Sequence, residues 1–431
     1  MMASLDSPEQ PSRPRRRVLL GAFATSPYRG SEPGVGWNIA YHLAAHHDVT
    51  VLCFPGFGGD AVEAYDRFVS ENGPVPGLTM HWVEQPWLSR MLQREGGLQR
   101  ALYYHGYAAW QRAAYLEAKR LHAADAFDLV HHVNIIGFRE PGYLWQLDLP
   151  FVWGPIAGAA SIPKPFFSLL SPRDRLFYGI RNVLNQRNMA RHRRVHRAAA
   201  AAKQIWAVDR ANQQMVREHF KADAELMIET GSHPSLSTTP REFDGRRPLR
   251  ILWSGVHEGR KCLPILLRAA AALKAQGRAL HLTVLADGPE TSRWKQEALR
   301  LGHKAGIDWA GTLPYEQAVA RTQAADVFVL TSLQEGTPHV VLEALASGLP
   351  VICHDACGMA TAVDSTCGIK VPMVDPATSV SGFAHALTSL FENPSLIRMM
   401  SEGAVRRASE LSWERKAECI AEAYENILTT V

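Results

Sequence analysis

Short apolar runs alternate with helical patterns along most of the chain, and this alternation constrains the fold more than any other feature. In the first half, four such runs are separated by stretches of helical periodicity: RRVLLGAF, DVTVLCF, FDLVHHV and PFVWGPI. Runs this short and this apolar are typical of strands buried on both faces of a parallel sheet. The pattern therefore predicts a doubly wound sheet with helices on both sides.

A second series of the same kind begins after about residue 245. Its apolar runs are RILWSGV, LHLTVLADG, IDWAGTL, VFVLTS, PVICHD and GIKVP. The length of 431 residues is too great for one ordinary core and suits two domains. We therefore predict an α/β fold in which two Rossmann-like, doubly wound parallel-sheet domains face each other across a cleft.

The composition of the segments between these series suggests the domain boundaries. Residues 1–14 are rich in Ser, Pro and Arg and predict a disordered tail. Residues 15–230 form the first predicted domain and residues 249–410 the second, joined by the Pro-, Ser- and Gly-containing linker 231–248. Residues 411–431 predict a C-terminal helix that crosses back to the first domain.

Several classes of protein are disfavoured. The balance of 46 Lys+Arg against 42 Asp+Glu gives a net charge of +4, which is too mild to indicate a nucleic-acid partner. Six cysteines without a CxxC pair or metal spacing favour a reducing cytoplasm. No run approaches the ~20 apolar residues of a transmembrane helix, and neither a G-x-G-x-x-G fingerprint nor a Walker loop is present. We expect a cytoplasmic protein, at most peripheral at the inner face of the membrane.

The stretch TSLQEGTPHVVLEALASGLPVICHD, residues 331–355, carries the most chemical information. It follows the strand VFVLTS, so its turn lies at the carboxyl end of a strand, where open parallel sheets bind ligands. Thr337 is predicted as the N-cap of a helix and Pro338 as its first residue, and Gly348 ends that helix. A helix start carries unpaired N–H groups and partial positive charge. We predict a diphosphate site there, formed by Thr337, Pro338, His339 and Val340.

Two carboxylates flank this helix start. Glu335 precedes it and is placed to reach a ligand that bears hydroxyl groups. Glu343 lies in an otherwise apolar run, where an unpaired charge is costly, and is placed to accept hydrogen bonds from the vicinal hydroxyls of a ribose. The alternative is that Glu335 is solvated and Glu343 is held by a neighbouring amide or arginine.

The segment EGTPHVVLEALASGLPV resembles the E-x7-E segment of GT4-type retaining glycosyltransferases, whose fold is GT-B. Four further segments of the second domain follow in the order of that family: WSGVHEGRKCLPILLRA, ADGPE, WAGTLPYEQ and GIKVP. In the first domain, SPYRGSEPGVGWN and PFVWGPIAGAASIP are similar to bacterial members that build polysaccharides or modify small glycosides. The resemblance implies a nucleotide-sugar donor bound mainly by the second domain.

The resemblance also implies roles for residues of the second domain. Lys261 occupies the position of a diphosphate-binding lysine. The family usually has an arginine after the glycine of this segment, where this chain has Val256, and we expect Arg260 to supply the second cation. Thr312 and Leu313 lie in the turn that would contact the base. The alternatives are a solvated cation pair at a helix start and, for Leu313, an ordinary core residue.

The first domain offers weaker candidates. Ser31 to Gly36 is predicted as a loop before a helix that begins near Trp37, and Gly34 and Gly36 would let the backbone approach a phosphate or sugar of the donor. The alternative is a tight strand–helix connection. Glu32 is a candidate contact to the acceptor.

Two adjacent histidines end the strand FDLVHHV. The resemblance implies that a histidine near here contacts the donor sugar. Because side chains alternate along a strand, only one of His131 and His132 faces the cleft. We favour His132 and expect a structural role for the other.

Together these features predict a metal-independent, retaining glycosyltransferase with a nucleotide-sugar co-substrate, by default a UDP-sugar, and no other cofactor. The acceptor is a hydroxyl of a glycan, a lipid-linked or a small molecule. The alternatives are a nucleotide-sugar epimerase, a phosphorylase that would need pyridoxal phosphate, and a catalytically inactive nucleotide-sugar-binding protein. Residues 181–203 are predicted to form a basic helix whose arginines recur on more than one side. That pattern indicates a solvated face, with peripheral membrane contact or a lipid-linked acceptor as the alternative.

Overall fold

The structure, a computed structural model, describes residues 14–56, 61–85, 98–234, 239–303 and 306–430. The predicted disordered tail therefore lies almost wholly outside the described residues. Residues 235–238 of the predicted linker also lie outside the described residues.

The first half of the chain forms a seven-stranded sheet in the order β3-β2-β1-β4-β5-β6-β7. The first strand, β1, lies between β2 and β4 and pairs with both in parallel. Its last five residues are buried, as expected for a central strand covered on both faces. The strands are β1 (Arg17–Ala22), β2 (Asp48–Cys53), β3 (Leu78–Trp82), β4 (Leu129–Asn134), β5 (Phe151–Ile156), β6 (Ala202–Ala207) and β7 (Glu225–Leu226).

Helices and short turns connect these strands. Several begin at residues that suit a helix start: the Ser171 hydroxyl accepts a hydrogen bond from the Asp174 N–H at 3.2 Å, and Pro172 follows it. The helices are α1 (Ser31–Leu43), α2 (Ala61–Asn72), α3 (Leu98–Ala124), α4 (Pro172–Arg191), α5 (Arg193–Ala201) and α6 (Arg210–Met215). Three further turns are the 3-10 turns Leu144–Gln146 and Lys164–Leu169 and the π-helical turn Val216–Phe220.

The second half forms a six-stranded sheet in the order β10-β9-β8-β11-β12-β13, and each of its pairs is parallel. Its strands correspond to the six predicted apolar runs. They are β8 (Leu249–Ser254), β9 (Leu280–Leu285), β10 (Ile307–Gly311), β11 (Val327–Leu330), β12 (Val351–His354) and β13 (Gly368–Val371). The predicted pair of doubly wound parallel sheets is confirmed.

Helices separate the strands of the second sheet and follow it. They are α7 (Pro264–Ala275), α8 (Thr291–Arg300), α9 (Tyr315–Ala324), α10 (His339–Ala346), α11 (Cys357–Ala362), α12 (Pro376–Glu392), α13 (Ser395–Glu410) and α14 (Trp413–Thr429). A 3-10 turn, Gly259–Lys261, precedes α7.

The buried side chains on the two faces of the second sheet belong to two different apolar clusters. Along β11, Val327 and Val329 belong to one cluster, and Phe328 and Leu330 to the other. This alternation follows from the period of two in a strand and explains why the run is apolar throughout. The chain therefore buries both faces of the sheet that carries the candidate site.

The chain divides into two compact units, each discontinuous in sequence. The first unit consists of Met1–Asn134, Gly142–Val152 and Ala417–Val431, and the second of Ile135–Pro141 and Trp153–Lys416. The predicted boundaries, which follow the two sheets, remain predictions.

The C-terminal helix α14 contributes to the first unit through two polar contacts. The Tyr424 hydroxyl lies 2.6 Å from Nδ1 of His131, and Arg16 pairs with Glu425 at 2.9 Å. Tyr424 is fully buried, so this contact fixes the helix on the interior of that unit.

Two predicted elements differ in the structure. Helix α1 begins at Ser31, six residues before the predicted start near Trp37, because Pro33 is tolerated in a first turn, where N–H groups lack helical partners. The predicted basic helix 181–203 is two helices that break at His192, whose ψ of 95° is not helical. Its last residues enter β6.

Candidate functional site

The turn between β11 and α10 carries the residues with the clearest chemistry. The helix begins at His339 with Pro338 as its N-cap, so the predictions of Thr337 as N-cap and Pro338 as first helical residue are wrong by one position. Thr337 is held outside the helix because its N–H donates to Oε1 of Glu229. The predicted helix end is confirmed: Gly348 has a φ of 66°, which glycine adopts without steric cost.

Glu335 is paired with both predicted cations. Its Oε1 lies 2.6 Å from Nζ of Lys261, and its Oε2 lies 2.7 Å from Nη1 of Arg260. The Glu335 side chain is only 9% exposed, and the protein supplies its partners. The alternative of a solvated Glu335 does not hold.

The 3-10 turn Gly259–Lys261 positions the two cations. The Leu333 N–H donates to the carbonyl of Arg260 at 2.7 Å, and the Thr331 hydroxyl donates to the carbonyl of Lys261 at 3.0 Å. These bonds tie the turn after β8 to the turn after β11, two neighbouring strands of one sheet. The convergence of both turns at the carboxyl ends of their strands brings the charges together.

The charges shift the acidity of the groups in this cluster. Burial alone would raise the pKa of the Glu335 carboxyl, but the charges of Lys261 and Arg260 outweigh it and lower that pKa below 4.5. Burial acts to lower the pKa of the Arg260 guanidinium, yet Glu335 and Glu258 raise it. The Glu335 carboxyl and the Arg260 guanidinium are therefore both ionised near neutral pH.

Glu229 is a residue of this site that the sequence analysis missed. It is 5% exposed, and its second carboxylate oxygen has no hydrogen-bond partner among the described residues. A Cβ at Gly336 would lie 2.3 Å from its Oε1, so a larger residue there would displace the Glu229 carboxylate. Desolvation by burial raises the pKa of the Glu229 carboxyl. Glu229 thus fixes the backbone immediately after Glu335.

Helix α10 presents two further predicted residues. Nδ1 of His339 lies 3.0 Å from the Thr230 hydroxyl, and burial lowers the pKa of this histidine. Glu343 retains an exposed surface, yet desolvation by the surrounding protein raises its pKa. Among the described residues, no amide or arginine is hydrogen-bonded or ion-paired to the Glu343 carboxylate. Its predicted role toward a ribose stays a prediction.

The predicted base-binding turn follows β10. Thr312 is exposed, and its N–H donates to Oδ2 of Asp287 at 3.2 Å. Leu313 is partly buried and packs against the apolar cluster that contains Phe328. The structure thus accounts for Leu313 as a packing residue, and contact with a base stays a prediction.

The predicted residues of the first domain belong to the other compact unit. A Cβ at Gly36 would lie 2.1 Å from the carbonyl oxygen of Ala24, and one at Gly34 would lie 2.5 Å from that of Arg29. Both glycines are therefore required by packing of the chain against itself. Glu32 lies in the first turn of α1, where its carbonyl accepts a bond from the Asn134 side chain at 2.9 Å.

Both histidines of β4 are buried, His131 fully and His132 to 3% exposure. His131 faces Tyr424 of α14, which gives it a structural partner. The ring of His132 lies beside Gly142, where an added Cβ would be 3.3 Å from its Cε1. The contact of His132 with a sugar stays a prediction.

Known proteins are similar either to the part of the chain that contains the second sheet or to nearly its whole length. Residues 243–407, which contain the second sheet, match the family model described as Glycosyl transferases group 1. A D-inositol 3-phosphate glycosyltransferase of Streptomyces bingchenggensis is 29% identical over 247 residues, 52% of this chain and 53% of the relative. The matched part thus spans about half the length of that relative. One from Segniliparus rotundus is 26% identical over 436 residues, covering 96% of this chain and 90% of the relative.

The fold has solved counterparts. The Anabaena protein HepE, in complex with UDP and glucose, superposes with a TM-score of 0.59 at 17% identity, over 96% of this chain and all of that chain. The two parallel α/β sheets and the superposition on such structures assign the GT-B fold to the chain. The resemblance of the chain to GT4-type glycosyltransferases is confirmed.

The described residues contain neither a grouped set of metal ligands nor a helix able to span a membrane. Within them, no three His, Cys, Asp or Glu side chains are grouped so as to hold a metal ion. In the same part of the chain, each helix is too short or too polar to cross a membrane.

Proposed function

We propose that this chain is a retaining glycosyltransferase that moves a sugar from a nucleoside-diphosphate donor to a hydroxyl group of an acceptor. The observation that carries the proposal is the cluster of Lys261, Arg260 and Glu335 at the carboxyl edge of the second sheet. A group 1 glycosyl transferase domain around it supports the same reaction.

The chemistry needs positive charge where the leaving group forms. When the bond between the sugar's anomeric carbon and the diphosphate oxygen breaks, negative charge grows on the diphosphate. Lys261, Arg260 and the N–H groups at the start of α10 are the groups that would stabilise it. The acceptor oxygen would attack the anomeric carbon on the same face, and its proton would pass to the departing phosphate oxygen. Glu335 would position the cations and the sugar without forming a covalent bond.

We infer a UDP-sugar donor, since a protein of this fold is in complex with UDP and glucose. The relatives named as D-inositol 3-phosphate glycosyltransferases favour a small polyol phosphate among the possible acceptors. We further propose that no metal is required, because two cations and a helix start would together stabilise the charge of the diphosphate. A cytoplasmic location, where nucleotide sugars are found and cysteines stay reduced, fits the six free cysteines.

The proposal is tested with the full chain, a panel of UDP-, GDP- and ADP-sugars, and acceptors that include D-inositol 3-phosphate. We expect transfer with one donor, unchanged by EDTA, and a product whose anomeric configuration by NMR equals that of the donor. Lys261→Ala should weaken nucleotide binding by about tenfold or more, because a hydrogen bond to a charged group contributes about 1.5–3 kcal/mol. Lys203→Ala, an exposed lysine outside the site, is the matched control.

Three results would contradict the proposal. Interconversion of donor sugars without an acceptor would indicate an epimerase. Tight nucleotide binding with no turnover of any donor would indicate a binding protein. Loss of transfer in EDTA would show that a metal is needed.

A further inference from the structure

Helix α4 (Pro172–Arg191) has one face packed into the protein. Its buried residues are Tyr178, Asn185 and Met189. Tyr178 belongs to an apolar cluster with Trp253, and the Asn185 side chain donates to the carbonyl of Gly158 at 2.7 Å. These contacts fix the rotation of the helix about its own axis.

The opposite face of α4 is apolar and exposed. Five large side chains on it are 47–69% exposed: Leu176, Phe177, Ile180, Val183 and Leu184. The spacing i, i+1, i+4, i+7 and i+8 places them on one side of a helix, about half a turn from the buried residues. Single exposed apolar residues are common, whereas a contiguous stripe of them marks a surface that binds something. We refer to these five residues as the α4 apolar face.

Arginines extend this face at both ends. At 100° per residue, Arg173 before the stripe and Arg187 and Arg191 after it point in the same direction, and all three are exposed. Residues 172–203 contain eight arginines and one lysine against a single acidic residue, Asp174. Positive charge is therefore concentrated here in a chain whose net charge is only +4.

We propose that the α4 apolar face binds the surface of an anionic phospholipid membrane, with α4 lying parallel to it. The five apolar side chains would enter the boundary between headgroups and acyl chains, and the flanking arginines would contact lipid phosphates. An apolar centre with cationic ends fits an anionic interface by charge as well as by polarity. The proposal does not depend on glycosyl transfer.

Charge argues against a second copy of this chain as the occupant. A two-fold dimer uses the same surface on both subunits. Antiparallel packing of two α4 helices would set Arg173 of each copy opposite Arg187 and Arg191 of the other. Such like-charge contacts are unfavourable, whereas lipid phosphates would neutralise the same arginines.

The basic helix predicted from the sequence starts at residue 181 and therefore omits most of this face. Three of the five apolar residues, Leu176, Phe177 and Ile180, precede that position. The arginines of α5 also belong to a separate helix, so they do not share one helical wheel with those of α4.

The test is co-sedimentation of the full chain with vesicles of phosphatidylcholine alone and of phosphatidylcholine with phosphatidylglycerol. We expect binding to the anionic vesicles and little to the neutral ones, with a partition coefficient that falls as salt is raised. Leu176→Gln with Val183→Gln should lower partition about tenfold or more, because the two substitutions remove apolar surface that would enter the membrane. Arg187→Gln with Arg191→Gln should lower binding to anionic vesicles and weaken its dependence on salt.

Matched controls come from exposed residues elsewhere. Leu116 and Leu299 are 66% and 62% exposed, so Leu116→Gln with Leu299→Gln removes equivalent apolar surface and should leave partition unchanged. Arg217→Gln with Arg300→Gln controls for the loss of two exposed charges. Thermal melting establishes that each variant is folded.

Two outcomes would overturn the proposal. The first is partition that is absent, equal on both vesicle types, or unchanged by the variants of the face. The second is a dimer in light scattering that Leu176→Gln with Val183→Gln converts to a monomer, which would make a second copy the occupant.

Discussion

Glu335 pairs with two cations that a diphosphate ligand would also need. Lys261 and Arg260 are both within 2.7 Å of its carboxylate, and Arg260 contacts Glu258 as well. A diphosphate that bound these cations would compete with Glu335 for them. If the proposed site binds a diphosphate, we therefore expect Glu335 to oppose donor binding while it favours the chemical step.

Glu335→Gln separates these two effects. The amide keeps the shape of the side chain but no longer competes as an anion, so UDP binding should be unchanged or a few-fold tighter. Turnover should fall by about 10²-fold or more, which is typical when a group that stabilises a transition state electrostatically is removed. Titration calorimetry gives the dissociation constant, and steady-state assays give kcat.

The matched control is Glu258→Gln. Glu258 contacts Arg260 but no other cation of the cluster, and its side chain is 38% exposed, so solvent already screens the pair. Its effect on kcat should be small. Normal kinetics in Glu335→Gln would remove Glu335 from the proposed site.

Some residues of the site could be predicted from the sequence and others could not. Glu335, Arg260 and Lys261 lie in turns directly after strands, and such turns meet at one edge of a parallel sheet. The ion pairs among them depend on the conformation of the turn Gly259–Lys261, which spacing does not determine. Glu229 follows the two-residue strand β7 and is 108 residues from Thr337, so no local pattern connects them.

At the scale of elements, helix α1 packs closely against the segment that follows β1, and Gly36 makes this close packing possible. Gly36→Ala should lower the free energy of unfolding by about 1–3 kcal/mol, because the added methyl group would overlap the Ala24 carbonyl and force backbone shifts. Gly30→Ala is the matched control, since a Cβ there meets nothing within 4 Å. Chemical denaturation of both variants measures the difference.

Nucleotide affinity distinguishes packing from ligand binding at Gly36. If the glycine serves packing alone, the folded fraction of Gly36→Ala should bind UDP as the wild type does. A large loss of affinity with normal stability would instead support the predicted contact with the donor.

The strands of the two sheets differed in how well the sequence revealed them. All six strands of the second sheet are apolar runs between turns, and all were predicted. In the first sheet, β3, β6 and the two-residue strand β7 were missed. Of β3, LTMHW, only Leu78 is buried, and β6 follows a run of alanines that continues a helical pattern. An edge strand such as β3 lacks a continuous apolar run, and a strand such as β6 that directly follows a helix continues the helical pattern. Such strands are stabilised by tertiary contacts and are difficult to predict from the sequence.

At the scale of the whole molecule, the stability of the fold depends on pH through its buried carboxyl groups. Some of these groups make the protein more stable as pH rises, and others make it less stable. For Asp326, burial is outweighed by hydrogen bonds from Arg247 and Arg250, which lower its pKa. Asp326 and Glu335 therefore contribute stability that is present above their ordinary pKa values and is lost as pH falls through the lowered values. Glu229 has a raised pKa, so the folded state binds more protons than the unfolded state, and stability falls as pH rises through that raised value.

Glu229→Gln should remove the loss of stability that ionisation of Glu229 causes as pH rises. Relative to the wild type, its melting temperature should rise as pH increases from 5 to 8, because the amide carries no charge to desolvate and its oxygen can still accept the Thr337 N–H. Glu229→Ala should be less stable at every pH, by about 1–3 kcal/mol, since that buried N–H loses its acceptor. A pH-independent difference between Glu229→Gln and the wild type would contradict the raised pKa.

The discontinuity of the two compact units determines how the gene can be divided for expression. A fragment that ends at residue 248 would lack Tyr424 and Glu425, which contact His131 and Arg16. Without Tyr424, the buried His131 side chain would face solvent. A fragment that starts at residue 249 would lack Glu229 and the buried side of α4, which the second unit needs. Cloning at the apparent linker is thus expected to give two insoluble products, because each unit contains residues from both sides of that division.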